Sequence, residues 1–144
     1  MPKNFDFEKD ALLGIDFGKT NTGLALGRNG LVVPLEIISG KNIERAINQI
    51  NRQVIENKVV KIIVGLPLSF DNKETVQSME VRKFAKQLKI LTKKPVEFQN
   101  EYASSREALE EAVDLDIPTK KRKTNDHLAA ALILDSYYKE NYTF

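Results

Sequence analysis

The sequence predicts an α/β fold with a mixed five-stranded sheet, because its hydrophobic pattern changes once along the chain. Near the N-terminus, three short apolar segments separated by turn residues predict an antiparallel meander. After residue 40, segments with helical periodicity alternate with apolar runs, which adds strands in parallel through helical crossovers. The 144 residues fit one ordinary domain and are too few for two. We therefore expect one domain, residues 1–144, in which a three-stranded antiparallel meander and two parallel strands form a sheet flanked by helices.

The meander begins with residues 11–15, which are apolar on both faces and suit a central strand. Residues 16–23 follow as a turn rich in Gly, Asn and Thr. Residues 24–27 and 31–34 predict two further strands. The Asn-Gly pair within residues 28–30 is typical of a tight hairpin between them.

The next elements alternate between helix and strand. A helix beginning near residues 39–42 is predicted by apolar residues on one face, and a β-branched run at 59–64 predicts a buried strand. A second helix and a short strand at 95–98 follow. The inner faces of the two helices are formed by Ile43, Ala46, Ile47, Ile50 and Val54, and by Val81, Phe84, Ala85 and Leu88.

The last third predicts two helices separated by a polar connection. The first spans residues 101–113, the connection spans 114–125, and the final helix runs from about 126 to 138. The complete order is therefore β-β-β-α-β-α-β-α-α, which is consistent with a mixed sheet covered by helices.

The composition excludes several classes of protein. The absence of cysteine rules out disulfides, thiolate zinc sites and cysteine nucleophiles. The longest apolar run, residues 128–134, is far shorter than the roughly 20 residues of a membrane-spanning helix. Acids near the N-terminus argue against a signal peptide, so we expect a cytoplasmic protein without a membrane partner. A net charge of +2 neither requires nor excludes nucleic acid.

Three acids lie where predicted elements end or begin. Asp16 follows the central strand, Glu101 follows the last strand, and Asp126 begins a helix rich in alanine. Sites in open α/β sheets collect beyond the carboxyl ends of parallel strands, which favours a functional role. Each acid also has an ordinary explanation: Asp16 as a turn residue, Glu101 in a first helical turn, and Asp126 as a helix cap.

Five blocks of sequence place these acids in a wider context. In chain order they are Gly14-Ile15-Asp16-Phe17-Gly18 through Gly23-Leu24-Ala25-Leu26; Val64-Gly65-Leu66-Pro67-Leu68 with Asp71; Val81-Arg82-Lys83-Phe84-Ala85; Asn100-Glu101-Tyr102-Ala103-Ser104-Ser105; and Lys120 to Lys123 with Asp126 through Tyr137. This series, which covers residues 11–138, resembles the YqgF family of Holliday junction resolvases. That family is also called RuvX and is linked to maturation of small-subunit ribosomal RNA precursors.

The resemblance implies a ribonuclease H-like fold and a metal-dependent nuclease whose catalytic acids are Asp16, Glu101 and Asp126. The same three residues would bind Mg²⁺ or Mn²⁺, with two ions in the site. Two Mg²⁺ about 4 Å apart can activate the attacking water and stabilise the leaving oxygen in phosphodiester hydrolysis. Three clustered carboxylates would repel one another without cations, which is a further reason to expect metal.

Basic residues predict contacts to nucleic-acid phosphate. Lys19 lies near Asp16 in the sequence, and the densest positive segment is Lys120, Lys121, Arg122 and Lys123. The alternative is that this segment is simply a solvated loop. The expected partner is structured RNA or branched DNA, within ribosomal precursor particles for an RNA substrate, and the protein could be a monomer or a homodimer.

Departures from the family pattern keep other functions open. The family usually has arginine where this chain has Tyr102, a basic residue at Asn21 and an acid at Asn100. Three functions therefore stay open: processing of ribosomal RNA precursors, which we favour, resolution of Holliday junctions, and binding of nucleic acid without cleavage. The turn from Asp16 to Thr20 also resembles the phosphate loop of actin-like ATPases, which need a second lobe that 144 residues do not supply.

Overall fold

A computed structural model describes residue 6, residues 9–101 and residues 125–142, with the backbone alone for residues 125–127. The predicted helix at 101–113 and the connection at 114–125 fall outside these residues, apart from Glu101 and Asn125. The elements in chain order are β1 (Ala11–Phe17), β2 (Asn21–Arg28), β3 (Leu31–Ser39), α1 (Ile43–Glu56), β4 (Val59–Leu66), α2 (Val76–Thr92), β5 (Val96–Asn100) and α3 (Asn125–Asn141).

The strands form one five-stranded sheet in the order β3-β2-β1-β4-β5. The β1–β2 and β2–β3 pairs are antiparallel, whereas β4 is parallel to both β1 and β5. The predicted fold class, an antiparallel meander extended by two parallel strands, is therefore confirmed. It places β1 at the centre of the sheet, with Asp16 near its carboxyl end.

The first two strands extend into the segment that the sequence predicted as a turn. Asp16 pairs with Gly23 and Phe17 with Thr22, so the turn is confined to residues 18–20. The polar and glycine residues are typical of a turn, but the pairing of two long strands overrides their local preference.

The third strand continues through Pro34, where the sequence predicted its end. Because β3 lies at the edge of the sheet, a residue without an N–H can occupy it without breaking a ladder on both sides. The pairing shifts register here, since Leu24 pairs with Glu36 and Ala25 with Pro34. The bulge therefore lets the strand run on to Ser39.

The two faces of the sheet bury different helices. Alternate residues of β1 point to opposite faces, so Leu13 and Ile15 pack with α1 and α2, while Leu12 packs with α3. The first helix starts where predicted, with the Asn42 side chain accepting a 3.0 Å hydrogen bond from the Arg45 backbone N–H. In the described residues, no helix combines the length and apolar character that crossing a membrane requires.

A polar cluster joins α3 to the sheet at the amino end of β4. The ammonium of Lys61, which is 5% exposed, donates a 3.1 Å hydrogen bond to the Tyr137 hydroxyl and lies 3.1 Å from Glu97 Oε2. The Tyr137 hydroxyl in turn donates to Glu97. Burial alone would raise the pKa of Glu97, but the hydrogen bonds from Tyr137 and Lys61 outweigh it and lower that pKa. Burial and the neighbouring carboxylate raise the pKa of Tyr137.

Candidate active site

Asp16 lies on the α3 face of the sheet between two glycines. It shares this face with Leu12 and Gly14 by strand alternation, and it is partly buried. Gly23 is its antiparallel partner in β2. On the other side, Ile15 pairs with Val64 of β4, so the next residue of that strand, Gly65, stands beside Asp16. Neither neighbour has a side chain to fill the space around the Asp16 carboxylate.

Glu101 occupies the space above Gly65. Its backbone N–H donates a 2.9 Å hydrogen bond to the Leu66 carbonyl, which continues the pairing of β5 with β4 by one residue. A Cβ atom added to Gly65 would lie only 2.9 Å from Glu101 Oε2 and 3.0 Å from its Cδ. The Glu101 side chain is 6% exposed. The structure thus brings Glu101 and Asp16 to the same end and the same face of the sheet, on the two strands that flank β4.

The direction of α3 follows from two close contacts with glycines. A Cβ on Gly14 would lie 2.5 Å from Leu134 Cγ and 2.9 Å from the Ala130 carbonyl oxygen. A Cβ on Gly27, which pairs with Leu12 at the other end of β1, would lie 2.8 Å from the Tyr138 hydroxyl. The helix therefore crosses β1 in the opposite direction, with its N-terminus towards the carboxyl end of the strand.

The direction of α3 determines where the Asp126 backbone lies along the length of β1. Its backbone precedes Ala130 by one helical turn, about 6 Å along the helix. Asp16 is two residues beyond Gly14, about 6.6 Å along the strand. The Asp126 backbone is thus at roughly the level of Asp16, while the Asp126 side chain lies outside the described part of the structure.

The donor set fits a hard divalent cation. Carboxylate oxygens are the protein ligands that Mg²⁺ prefers, and the cradle at Gly65 holds the Glu101 carboxylate on a rigid strand end. Within residues 9–101 and the described part of α3, no group of three or more His, Cys, Asp or Glu side chains is positioned to hold a metal. A three-acid site would therefore require the Asp126 side chain, and the assignment of Asp16, Glu101 and Asp126 stays a prediction.

Asn100, one of the departures from the family pattern, is hydrogen-bonded to Asn72 beside the site. Asn72 adopts a left-handed backbone with φ of 62°, a conformation that asparagine tolerates better than most residues. Its side-chain oxygen accepts a 2.9 Å hydrogen bond from the Asn100 amide. The pair links the loop after β4 to the end of β5, one residue before Glu101.

The predicted phosphate-binding residues divide between described and undescribed parts of the chain. Lys19 is exposed in the turn after β1, one residue beyond Gly18. Lys120, Lys121, Arg122 and Lys123 lie outside the described residues, so their contact with nucleic acid stays a prediction.

Gly65 is the site residue to which the sequence assigned no role. The absence of a side chain at Gly65 leaves room for the Glu101 carboxylate and for Ile133, whose Cδ1 would lie 2.5 Å from an added Cβ. A glycine inside a β-branched strand is a signal of close approach. The sequence does not reveal which group approaches it.

Comparison with solved structures identifies the class of fold. Thermus thermophilus RuvC in complex with a Holliday junction substrate matches with a TM-score of 0.57 and 15% identity, over 93% of this chain and 98% of that one. The fowlpox virus Holliday junction resolvase matches with a TM-score of 0.54 and 18% identity, over 92% and 99% of the two chains. The fold is ribonuclease H-like, as predicted.

Sequence comparison identifies the family. The model of the RuvX family, described as Holliday junction resolvase, matches residues 10–140. A "Putative pre-16S rRNA nuclease" of Mycoplasma mobile is 34% identical over 130 residues, covering 87% of this chain and 89% of that protein. A protein of the same name from Chloroflexus aggregans is 32% identical over 132 residues, covering 90% and 93%. The chain belongs to the RuvX family, and the predicted enzyme class, a nuclease, is confirmed.

Proposed function

We propose that this protein is a metal-dependent nuclease that cleaves a phosphodiester bond during maturation of 16S ribosomal RNA precursors. Its catalytic acids are Asp16, Glu101 and Asp126. The observation that carries the proposal is the buried Glu101 carboxylate above Gly65, beside the strand position of Asp16. A carboxylate held at the carboxyl end of a parallel strand supplies the oxygen donors that Mg²⁺ prefers, which supports a metal-binding role.

The protein would supply positioning and charge. Asp16 lies on β1 and Glu101 directly follows β5, and both strands pair with β4, so the spacing of the two acids is set by the sheet rather than by mobile loops. Asp126 would complete the oxygen donor set from the start of α3. Two Mg²⁺ or Mn²⁺ ions, when bound, supply water activation and stabilisation of the leaving oxygen. Lys19 and the basic residues 120–123 would hold the phosphates that flank the reacting one.

The substrate assignment follows the more similar relatives. Proteins 30–34% identical to this chain carry the pre-16S nuclease name, so we favour structured RNA in a cytoplasmic ribosomal precursor. The description of the family model supports a second candidate, resolution of branched DNA junctions. A junction resolvase acts on a two-fold symmetric substrate, so this alternative predicts a homodimer.

The decisive experiment compares two substrates and two carboxyl variants. Purified protein is incubated with a precursor 16S RNA fragment or with a four-way DNA junction, with Mg²⁺, with Mn²⁺ or with EDTA. We expect metal-dependent cleavage of the RNA, and a loss of about 100-fold or more in Asp16→Asn. Asp135→Asn is the matched control, because this acid pairs with Lys139 on the exposed side of α3 and should leave the rate unchanged.

Three outcomes would contradict parts of the proposal. Equal cleavage by wild type and Asp16→Asn would remove this acid from the active site. Cleavage of the junction but not of the RNA would favour the second candidate. RNA binding without cleavage in either metal would identify a domain that binds nucleic acid but lacks catalysis.

A further inference from the structure

A cleft lies on the opposite face of the sheet from Asp16, at the same end of β1. It has a volume of about 520 Å³ and opens between the β1–β2 turn, the start of α1 and the middle of α2. This volume is in the range of cavities that hold one nucleotide-sized ligand. Phe17 lines the cleft and directly follows Asp16, so the two residues project to opposite faces of the same strand end.

The floor of the cleft is apolar. The ring of Phe17 stacks on that of Phe84, with the centroids 4.2 Å apart and an angle of 15° between the planes. Phe84 is fully buried, whereas Phe17 is partly exposed. Ile43, which is 41% exposed at the first position of α1, adds a second apolar wall. Such a surface can pack against a base or a sugar.

The rim of the cleft is positively charged. Lys19 from the β1–β2 turn, Lys41 from the segment before α1 and Lys83 from α2 all line it, and all three are exposed. Glu80 is the one acid among the described residues that line the cleft. Among the described residues, none of these lysines forms an ion pair with a carboxylate. Three exposed cations from separate elements therefore face one cleft, which favours a polyanion.

We propose that this cleft binds the single-stranded segment of the nucleic-acid substrate next to the cleavage site, with lysine ammoniums on phosphates and an unstacked base against the apolar floor. The inference rests on the proposed function, because it places the cleft beside the reacting phosphate. Single-stranded nucleic acid is favoured over a duplex, since only an unpaired base can leave its stack and reach an apolar floor. Lys19 lies in the β1–β2 turn, so it would contact the nucleic acid both near the cleavage site and in the cleft.

The test is a binding measurement on two variants of equal charge. Lys41→Gln/Lys83→Gln removes two cations from the cleft. Lys86→Gln/Lys89→Gln removes two exposed cations of α2 that do not line it. Binding of a fluorescent single-stranded oligouridylate is followed by anisotropy in EDTA across a series of salt concentrations, and circular dichroism verifies that both variants are folded.

The expected result is a smaller salt dependence for the cleft variant alone. Each phosphate contact to a single strand contributes about 0.7 to the slope of log affinity against log salt, so the loss of two contacts lowers the slope by about 1.4. At 0.1 M salt this corresponds to about a 25-fold loss of affinity. The control should stay within about twofold of wild type, since exposed lysines away from the path make no specific contact.

Two results would overturn the inference. One is a cleft variant that binds the single strand as the control does. The other is an equal loss of affinity for a duplex of the same length, which would exclude a role for the apolar floor. Failure of the proposed function is separately visible, because a wild-type protein that never cleaves RNA can still show the cleft-dependent binding.

Discussion

Substitution of Gly65 by alanine tests whether the position of Glu101 controls cleavage. The added Cβ would lie 2.5 Å from Ile133 Cδ1, 2.9 Å from Glu101 Oε2 and 3.0 Å from Glu101 Cδ. Ordinary contacts between such atoms are about 3.5–4.0 Å. The Ile133 methyl must therefore move by about 1 Å or more, and the Glu101 carboxylate by roughly 0.5–1 Å.

These displacements allow the loss of unfolding free energy and the loss of cleavage rate to be estimated. Overpacking of a well-filled core costs about 1–3 kcal/mol of unfolding free energy. Misplacement of a reacting group by about 1 Å costs on the order of 100-fold in rate. We therefore expect Gly65→Ala to remain folded at low temperature and to cleave the RNA precursor about 100-fold more slowly. The measurements are urea unfolding and single-turnover cleavage at saturating metal.

Gly27→Ala is the matched control for packing against the same helix. Its Cβ would lie 2.8 Å from the Tyr138 hydroxyl at the far end of α3. We expect a comparable loss of stability with the cleavage rate of the folded protein unchanged. If Gly27→Ala slows cleavage as much as Gly65→Ala, the effect comes from general movement of α3 rather than from Glu101.

A second substitution separates the two clashes at Gly65. Ile133→Val removes the Cδ1 methyl, so adding it to Gly65→Ala should recover part of the unfolding free energy. The cleavage rate should stay low because the Glu101 clash remains. Recovery of both stability and rate, or wild-type cleavage by Gly65→Ala alone, would refute the assignment of Glu101.

Two further predictions concern stability away from the site. Because the pKa of Glu97 is lowered below its usual 4.5, its stabilising contribution is complete above that pH and is lost as pH falls through the folded-state pKa. In Glu97→Gln the unfolding free energy should therefore lose this part of its dependence on pH, as measured by urea unfolding between about pH 3 and 6. The same pH profile in this variant and in the wild type would contradict the prediction. Thr75 caps α2 and forms a reciprocal pair with Ser78, so Thr75→Ala should lower the unfolding free energy by about 1 kcal/mol. Thr75→Ser should retain most of it, and equal losses in both variants would exclude the cap.

Local sequence patterns determined the elements and their order. The β-branched run of β4, the helical spacing of α1 and the Asn42 cap each specify backbone structure within a few residues. The crossover rules then place the later strands parallel, which accounts for the mixed sheet. The position of Asp16 at the carboxyl end of a central strand was also largely readable from the chain, because a run apolar on both faces indicates a strand covered on both sides.

The lengths of the strands were decided by partners distant in sequence. Thr22 and Gly23 belong to β2 because Phe17 and Asp16 pair with them, although their residue types favour a turn. Pro34 stays within β3 because β3 is an edge strand of the sheet that the described residues form, where a missing N–H breaks no ladder on the outer side. Local propensity is weaker than a complete ladder, so the sequence predicted these strands too short.

The sequence by itself determined the fold class, the family and the three acids to examine. The tertiary structure decided which groups share a location: Glu101 lies above Gly65 beside Asp16, and Lys41 and Lys83 line one cleft behind Phe17. The physical reason is that strand register and helix packing join residues separated by tens of positions along the chain. A local pattern specifies the direction of a side chain, whereas its neighbours depend on which other elements are packed against it.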